Sequence, residues 1–118
     1  MDCCYLSDSG DTPSFCFTTF PKAKKLHKCC ECGRDIAAGA SYQRTSGRWE
    51  HSFEVFKTCM DCYHIRSAFD CGGWTYGQLY SDLRDSAENL NTGCLANIET
   101  ASAKSYFMDF LRKIRGIE

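Results

Sequence analysis

The sequence reads CCECG at residues 29–33 and CMDC at residues 59–62. Each stretch offers a cysteine pair with two intervening residues, a spacing that lets both sulfurs reach one metal ion from a single tight turn. Gly33 supports this interpretation, because glycine adopts the left-handed conformation that turns backbone amides toward the sulfurs. The second stretch is expected at the start of a helix, where unpaired amides and the helix dipole stabilise thiolate charge. We therefore predict one structural zinc ion held by Cys29, Cys32, Cys59 and Cys62.

The segment between the two pairs predicts a β-hairpin. It spans 26 residues, and residues 41–45 and 48–53 are rich in Tyr, Thr, Trp and Phe, which favour strands. Ser46-Gly47 between them is expected to form the turn, because glycine supplies the positive φ that such turns need. A glycine-closed knuckle, a hairpin and a helix in this order resemble the treble-clef class of zinc fingers over residues 28–70.

The segments on either side predict an N-terminal arm and further helices. The alternation at residues 15–17 indicates a short strand in the arm. Helical periodicity predicts a first helix ending near residues 71–73, and a second from Thr75, as its N-cap, to about Leu90. A third is expected from Thr100 to about Arg115, where an apolar stripe runs along one face.

The predicted fold class is therefore α+β, with a treble-clef-like zinc finger followed by two further α-helices. A chain of 118 residues is long enough for one domain with a modest core. We expect a single domain over residues 1–118, divided into an arm with a basic approach (1–27), the zinc finger (28–70) and a helical C-terminal part (71–118).

Ten cysteines in so short a chain would indicate disulfides in a secreted protein. However, the first five residues, MDCCY, lack the basic start and apolar stretch of a secretory signal. No apolar run is long enough to cross a bilayer. These features predict a cytoplasmic protein without a membrane partner, in which cysteines remain thiols or bind metal.

Several cysteines lie outside the predicted ligand set. Cys30 lies inside the first knuckle and could compete for the ion, and His51 could replace a ligand, although an exposed or capping histidine is the preferred interpretation. The others are expected to be small, buried core residues: Cys3, Cys4, Cys16, Cys71 and Cys94. The alternative is a second metal site built from Cys3 or Cys4, Cys16 and Cys71, with His27 or His64.

The predicted ligand set argues against catalysis. A catalytic zinc keeps an open coordination position, and four thiolates leave none. The sequence has neither the histidine and glutamate signature of zinc deaminases nor a phosphate-binding glycine loop. We expect a protein that is not an enzyme and that takes no small-molecule substrate.

The first binding hypothesis is a protein partner. Aromatic residues are common interface anchors, and Trp74, Tyr76 and Tyr80 carry polar tips that suit a surface position. The competing interpretation is that the aromatic stripe is the core that packs the helices onto the finger. That interpretation is stronger for Leu79, Leu83, Phe107, Phe110 and Leu111.

The second hypothesis is nucleic-acid binding through the basic stretch from Lys22 to Arg48. Its candidate contacts to phosphates and bases are Lys22, Lys24, Lys25, Arg44, Arg48 and Trp49, with Tyr42 as another stacking residue. A net charge of −1 places this hypothesis second. The competing interpretation is that Lys28, Arg34 and Lys57 only neutralise the negative charge of a zinc tetrathiolate locally.

Residues 22–36, KAKKLHKCCECGRDI, resemble small uncharacterised zinc-finger proteins of bacteriophages and prophages. The similarity continues through Gly39, Tyr42, SGRW at 46–49 and FKTC at 56–59, and weakly into residues 73–79. The resemblance implies a phage accessory protein in the cytoplasm of an infected bacterium. It further implies a host or phage protein partner, with a host machine such as a defence system being inhibited or redirected.

Overall fold

Strands occupy the first half of the chain and helices the second half, which confirms the α+β class. The computed structural model describes residues 5–6, 13–49, 52–70, 74–86, 90 and 92–115. The strands are β1 (Pro13–Thr19), β2 (His27–Lys28), β3 (Asp35–Ile36), β4 (Tyr42–Trp49) and β5 (Ser52–Cys59). The helices are α1 (Met60–Phe69), α2 (Leu79–Asp85) and α3 (Ala101–Arg115), with a 3-10 helix at Thr92–Asn97.

Strands β1, β4 and β5 form an antiparallel three-stranded sheet with β4 in the centre. Successive side chains of a strand point to opposite faces. Gln43, Thr45 and Gly47 of β4 are buried on the face that packs under α1, which we call the inner face. Arg44 and Arg48 alternate with them on the opposite, outer face. The predicted strand at residues 15–17 is confirmed as part of β1.

The hairpin is present, but its predicted turn is wrong. Ser46 and Gly47 lie within β4, paired with Val55 and Glu54 of β5. Gly47 is needed there because β1 passes closely: a Cβ at this position would lie 2.8 Å from the Cβ of Cys16. A glycine that admits a neighbouring strand and a glycine in a turn leave the same local pattern in a sequence.

The first cysteine pair lies between β2 and β3, which pair as His27 with Ile36 and Lys28 with Asp35. The N–H of Cys29 donates to the carbonyl of Arg34 at 2.9 Å and closes this turn. Gly33 has a φ of 75°, so its predicted left-handed conformation is confirmed. We call residues 29–34 the knuckle.

Helices α1 and α3 agree with the sequence-based predictions. α1 follows β5 directly, with Cys59 as its N-cap residue, and ends at Phe69. α3 begins one residue after Thr100, whose Oγ1 accepts the N–H of Ala103 at 3.2 Å. A side-chain cap of this kind stabilises a helix by about 1 kcal/mol.

Helix α2 is shorter than predicted, and Thr75 is not its N-cap. The helix begins at Leu79 after Gln78, and Ser86 is its C-cap residue. Residues 74–76 lie instead against the inner face of the sheet, where Tyr76 stacks on Phe56 of β5 with ring centroids 4.2 Å apart. This packing against a distant strand overrides the local helical periodicity.

The core lies between α1, α2 and α3. Phe69 packs against Phe107 with ring centroids 5.1 Å apart, and Ile65 is fully buried. The core interpretation of the aromatic and aliphatic stripe is confirmed, because most of its members are buried and one is half-buried against them: Leu79, Leu83, Phe107, Leu111 and Phe110. Within the described ranges, no helix combines the length and apolar character that a membrane span requires.

Candidate metal centre

The four predicted ligands come together at the junction of the knuckle, β5 and α1. Their sulfurs all lie within 4.8 Å of one another, and the Sγ atoms of Cys32 and Cys59 are 3.8 Å apart. Cys29 and Cys62 are buried, whereas Cys32 and Cys59 are half-buried. The cluster can therefore hold a metal ion, as the spacing of the two pairs predicts.

Backbone amides point at the sulfurs of this cluster. The N–H groups of Glu31 and Cys59 donate to Cys29 Sγ at 3.4 and 3.3 Å, and the N–H of Arg34 donates to Cys32 Sγ at 3.5 Å. These donors follow from the tight knuckle turn and from the N-terminus of α1. They stabilise thiolate charge without any charged side chain.

Arg34 supplies the cation at the cluster. Its Nε donates to Cys32 Sγ at 3.3 Å, and its Nη2 reaches Cys59 Sγ at 3.8 Å and Asp61 Oδ2 at 3.2 Å. Of the three cations proposed for local neutralisation, Arg34 makes these contacts. Lys28 instead pairs with Asp35 at 2.6 Å, because β2 and β3 place them opposite each other.

Tyr80 of α2 completes the surroundings of Cys62. Its hydroxyl lies 2.9 Å from Cys62 Sγ. Burial first, and then the interaction with Cys62, raises the pKa of Tyr80, so the phenol keeps its proton and can donate a hydrogen bond to Cys62 once that residue is a metal-bound thiolate. The sequence predicts Tyr80 at a partner-binding surface, and no local pattern indicates a hydrogen bond to a residue 18 positions away.

The thiols of the metal-free cluster share negative charge. Hydrogen bonds from Cys29, Cys59 and Cys62 lower the pKa of Cys32. The pKa of Cys29 is lowered to about 6, because hydrogen bonds with Cys59 and Cys62 outweigh the opposing one with Cys32. Hydrogen bonds to Cys29 first, and to Cys32 next, raise the pKa of both Cys59 and Cys62. Part of the cluster is thus already charged at neutral pH.

A buried ion pair between Glu31 of the knuckle and Arg66 of α1 lies beside the cluster. Arg66 Nη2 donates to Glu31 Oε2 at 2.6 Å, and the two side chains are 2% and 0% exposed. Arg66 also donates to Gln43 at 2.7 Å and to Thr58 at 3.2 Å on the inner face. The other carboxylate oxygen, Oε1, accepts the N–H of Leu79 at 3.2 Å. No sequence pattern indicates this network, because a buried charged residue in a polar segment has the same local sequence pattern as a solvent-exposed one.

Cys30 and Cys16 lie outside the cluster. Cys30 Sγ lies 3.4 Å from Thr58 Oγ1, and burial raises its pKa to about 11. Cys16 is exposed on β1, so the prediction of a buried core residue is wrong there. The reason is that Cys16 lies on the edge strand of the sheet.

Cys94 is fully buried as predicted, but it is disulfide-bonded, so the expectation that the cysteines remain thiols or bind metal is wrong there. Spacing along the chain carries no information on such pairing. The second-site hypothesis gains no support among the described residues, where Cys16, His27 and His64 join no group that could hold a metal. Its other members, and His51, lie outside the described residues: Cys3, Cys4 and Cys71.

The proposed protein-binding residues make contacts within the chain. Tyr76 stacks on Phe56, Trp74 contacts Tyr76 with ring centroids 5.9 Å apart, and Tyr80 contacts Phe110 at 5.1 Å. All three remain half-buried. Their use as partner anchors stays a prediction.

The residues proposed for nucleic-acid binding lie on different surfaces. Arg44 and Arg48 share the outer face of β4, whereas Trp49 is on the inner side, in contact with Phe56 and Tyr76. Tyr42 is buried against His27. The exposed lysines of the basic approach precede the knuckle: Lys22, Lys24 and Lys25. The pKa of His27 is lowered by burial and then by the charges of Lys57 and Lys25.

Comparisons with protein-family models, with curated proteins and with solved structures found no match to this chain. The function of the metal centre is therefore argued from its own geometry.

Proposed function

We propose that this chain is a zinc-stabilised binding protein without catalytic activity, built on a treble-clef-type finger. The observation that carries the proposal is the convergence of four thiol sulfurs from a knuckle and a helix start. In a tetrahedral zinc site with Zn–S bonds of about 2.3 Å, two sulfurs are separated by about 3.8 Å. The Cys32 to Cys59 distance of 3.8 Å agrees with that value.

The ligand set supports a structural ion. Four thiolates fill the tetrahedral shell, so that a substrate or water has no position at the metal. Arg34, Tyr80 and backbone amides surround the sulfurs, and all of them form hydrogen bonds with the cysteine sulfurs. Such contacts orient and stabilise ligands.

The treble-clef assignment is supported by the order of the elements. A knuckle between two short strands supplies the first ligand pair, the β4–β5 hairpin follows, and the first turn of α1 supplies the second pair. The resemblance to phage and prophage proteins adds a setting to the proposal. In that setting, the chain is an accessory protein in the bacterial cytoplasm that binds a host or phage macromolecule.

The test is metal loading of the purified protein. Reduced protein is expected to contain one zinc per chain for the four-cysteine cluster, and cobalt substitution should give the intense thiolate-to-cobalt charge-transfer bands of a tetrahedral site. Cys59→Ser should lose those bands and most of the bound metal. Cys16→Ser is the matched control, because Cys16 is exposed and distant from the cluster in β1.

A wild-type protein that binds no stoichiometric metal would refute the proposal. So would a Cys59→Ser variant that keeps the full metal content. Two zinc ions per chain would instead revive the second-site hypothesis, and the cysteines outside the described residues could then be tested one by one.

A further inference from the structure

The outer face of the three-stranded sheet carries aromatic rings and cations in rows. The strand registers align Phe15 of β1, Arg48 of β4 and Phe53 of β5 in one row across the sheet. Two rows further along the same face, Arg44 of β4 lies opposite Lys57 of β5. Strands lie about 4.8 Å apart and alternate residues of a strand about 7 Å apart, so these side chains form a continuous surface. We call it the aromatic–basic face.

The rings of this face are more exposed than phenylalanine usually is. Phe15, Phe17 and Phe53 are 46%, 66% and 64% exposed. Phe15 and Phe17 lie side by side, with ring centroids 6.1 Å apart. Three exposed phenyl rings on one sheet face form a patch of the kind that marks an interaction site, in contrast to apolar residues scattered singly.

The charge of the face has one sign. Arg44, Arg48 and Lys57 lie on it, and no acidic residue does among the described positions of the three strands, since Glu54 belongs to the inner side. The chain as a whole carries a net charge of −1, so this concentration of cations is local.

We propose that the aromatic–basic face binds single-stranded nucleic acid, with bases stacked on Phe15, Phe17 and Phe53 and phosphates contacted by Arg44, Arg48 and Lys57. This inference rests on the proposed function and names the partner class of that binding protein. Stacking on sheet aromatics next to cations is a general way of holding unpaired bases, and it tolerates different sequences because every base has a π-face.

The chemistry of the face favours a single strand over the other macromolecules. In a duplex the bases stack on one another and cannot stack on phenyl rings. Duplex DNA would therefore contact only the arginine and lysine side chains, through its phosphates. The centre of a protein interface is usually depleted of charged residues. Here an arginine lies between two phenyl rings in the same row.

The test uses metal-loaded full-length protein and fluorescent oligonucleotides of about 12 residues, a length in the range that single-strand binding surfaces cover. Three oligonucleotides are compared. A thymidine oligomer and a uridine oligomer distinguish DNA from RNA as the single-stranded ligand, and a duplex of the same length tests whether a single strand is required. Binding is measured by fluorescence anisotropy at several salt concentrations. Three phosphate contacts predict a slope of log K against log salt of about −2.

The variants separate stacking from charge. Phe17→Ala and Phe53→Ala should each weaken binding about tenfold with little change in the salt slope. Arg48→Gln should reduce the slope by about 0.7. Met108→Ala and Lys104→Gln, both at exposed positions of α3, are the matched controls and should bind like the wild type. Zinc content of every variant reports whether the fold is retained.

The inference is overturned if metal-loaded wild type has no affinity for either single strand at low salt, or if it binds the duplex as tightly. It is also overturned if the phenylalanine variants bind like the controls. The inference is likewise refuted if no oligonucleotide binds while a protein partner binds the wild type and not Phe17→Ala. That result would assign the face to a protein. In each of these cases the zinc content stays at one per chain, whereas failure of the proposed function shows as absence of the metal.

Discussion

The thiols of the metal centre differ in their readiness to lose a proton, although all four are cysteines. Cys29 and Cys32 have lowered pKa values, with that of Cys29 at about 6, whereas the pKa values of Cys59 and Cys62 are raised. A group whose pKa lies below the solution pH has already lost its proton. We therefore expect Cys29 and Cys32 to be thiolates at neutral pH before a metal binds, and Cys59 and Cys62 to carry protons.

Zinc binding near pH 7.5 should consequently release about two protons, since only Cys59 and Cys62 remain to be deprotonated. The number should rise as the pH falls below about 6, where Cys29 takes up a proton. Affinity therefore falls with decreasing pH, and more steeply in acid. Calorimetric titration in buffers of different ionisation enthalpy measures the released protons directly. Release of four protons at pH 7.5 would show that the cluster does not share charge.

The four-cysteine cluster could be predicted from the sequence, because the spacing within each cysteine pair is local and typical of a metal site. Two sulfurs on one tight turn must be close in sequence, and both pairs show that spacing. The contacts of Arg34 and Tyr80 to the sulfurs depend on how distant segments pack. The sequence predicts Arg34 as a neutralising cation because it lies next to the first cysteine pair, whereas it predicts Tyr80 at a partner-binding surface.

Between the elements, the Glu31 to Arg66 pair joins the knuckle to α1 and, through Gln43 and Thr58, to the sheet. Burying two charges is costly, and only good geometry and further hydrogen bonds offset the cost. Arg66 lies over the rings of Trp74 and Tyr76, with its Cζ 4.9 Å from each centroid. The pair thus fixes where three elements meet.

Removing one partner of this pair should destabilise the protein strongly. Glu31→Leu leaves the Arg66 charge buried and should lower the free energy of unfolding by about 3–5 kcal/mol. Arg66→Met leaves Glu31 unpaired and should cost a similar amount. The double variant should lower the free energy of unfolding by clearly less than the sum of the two single variants, because it leaves no unpaired charge. Urea unfolding of metal-loaded protein measures all three, and strictly additive losses would contradict a coupled pair.

Element boundaries could be predicted only where the chain itself determines them. α3 was located to within a residue, because Thr100 caps it and its apolar stripe is regular. The turn and the start of α2 could not be located, since Gly47 accommodates β1 and residues 74–76 pack on β5. Both depend on a neighbour that is remote in sequence.

On the scale of the whole molecule, the four-cysteine cluster lies where the sheet and the helices meet. Its cysteines belong to the knuckle, the end of β5 and the start of α1. Arg34 lies over the Tyr106 ring of α3 at 3.7 Å. Asp61 accepts hydrogen bonds from Arg34 at 3.2 Å and from Ser102 at 2.8 Å, which fixes the start of α3 beside the cluster.

Metal removal should therefore unfold the sheet and the helices in a single transition. Structural zinc contributes about 10–16 kcal/mol in zinc-finger peptides, which matches or exceeds the total stability of about 5–15 kcal/mol of a typical domain. Both tryptophans, Trp49 and Trp74, contact Tyr76 on the inner side of the sheet. Their emission should shift to the red as chelator is added, and it should do so in parallel with the loss of helical circular dichroism.

The same titration on Cys30→Ser provides the control. Cys30 lies in the knuckle but outside the cluster, so its loss should leave the metal in place and the transition at nearly the same chelator concentration. A helical signal that survives after the tryptophan emission has shifted would contradict the argument. In that case α1 and α3 would stay packed together without the ion, with Phe69 against Phe107, and the ion would organise only the knuckle and the strands that flank it.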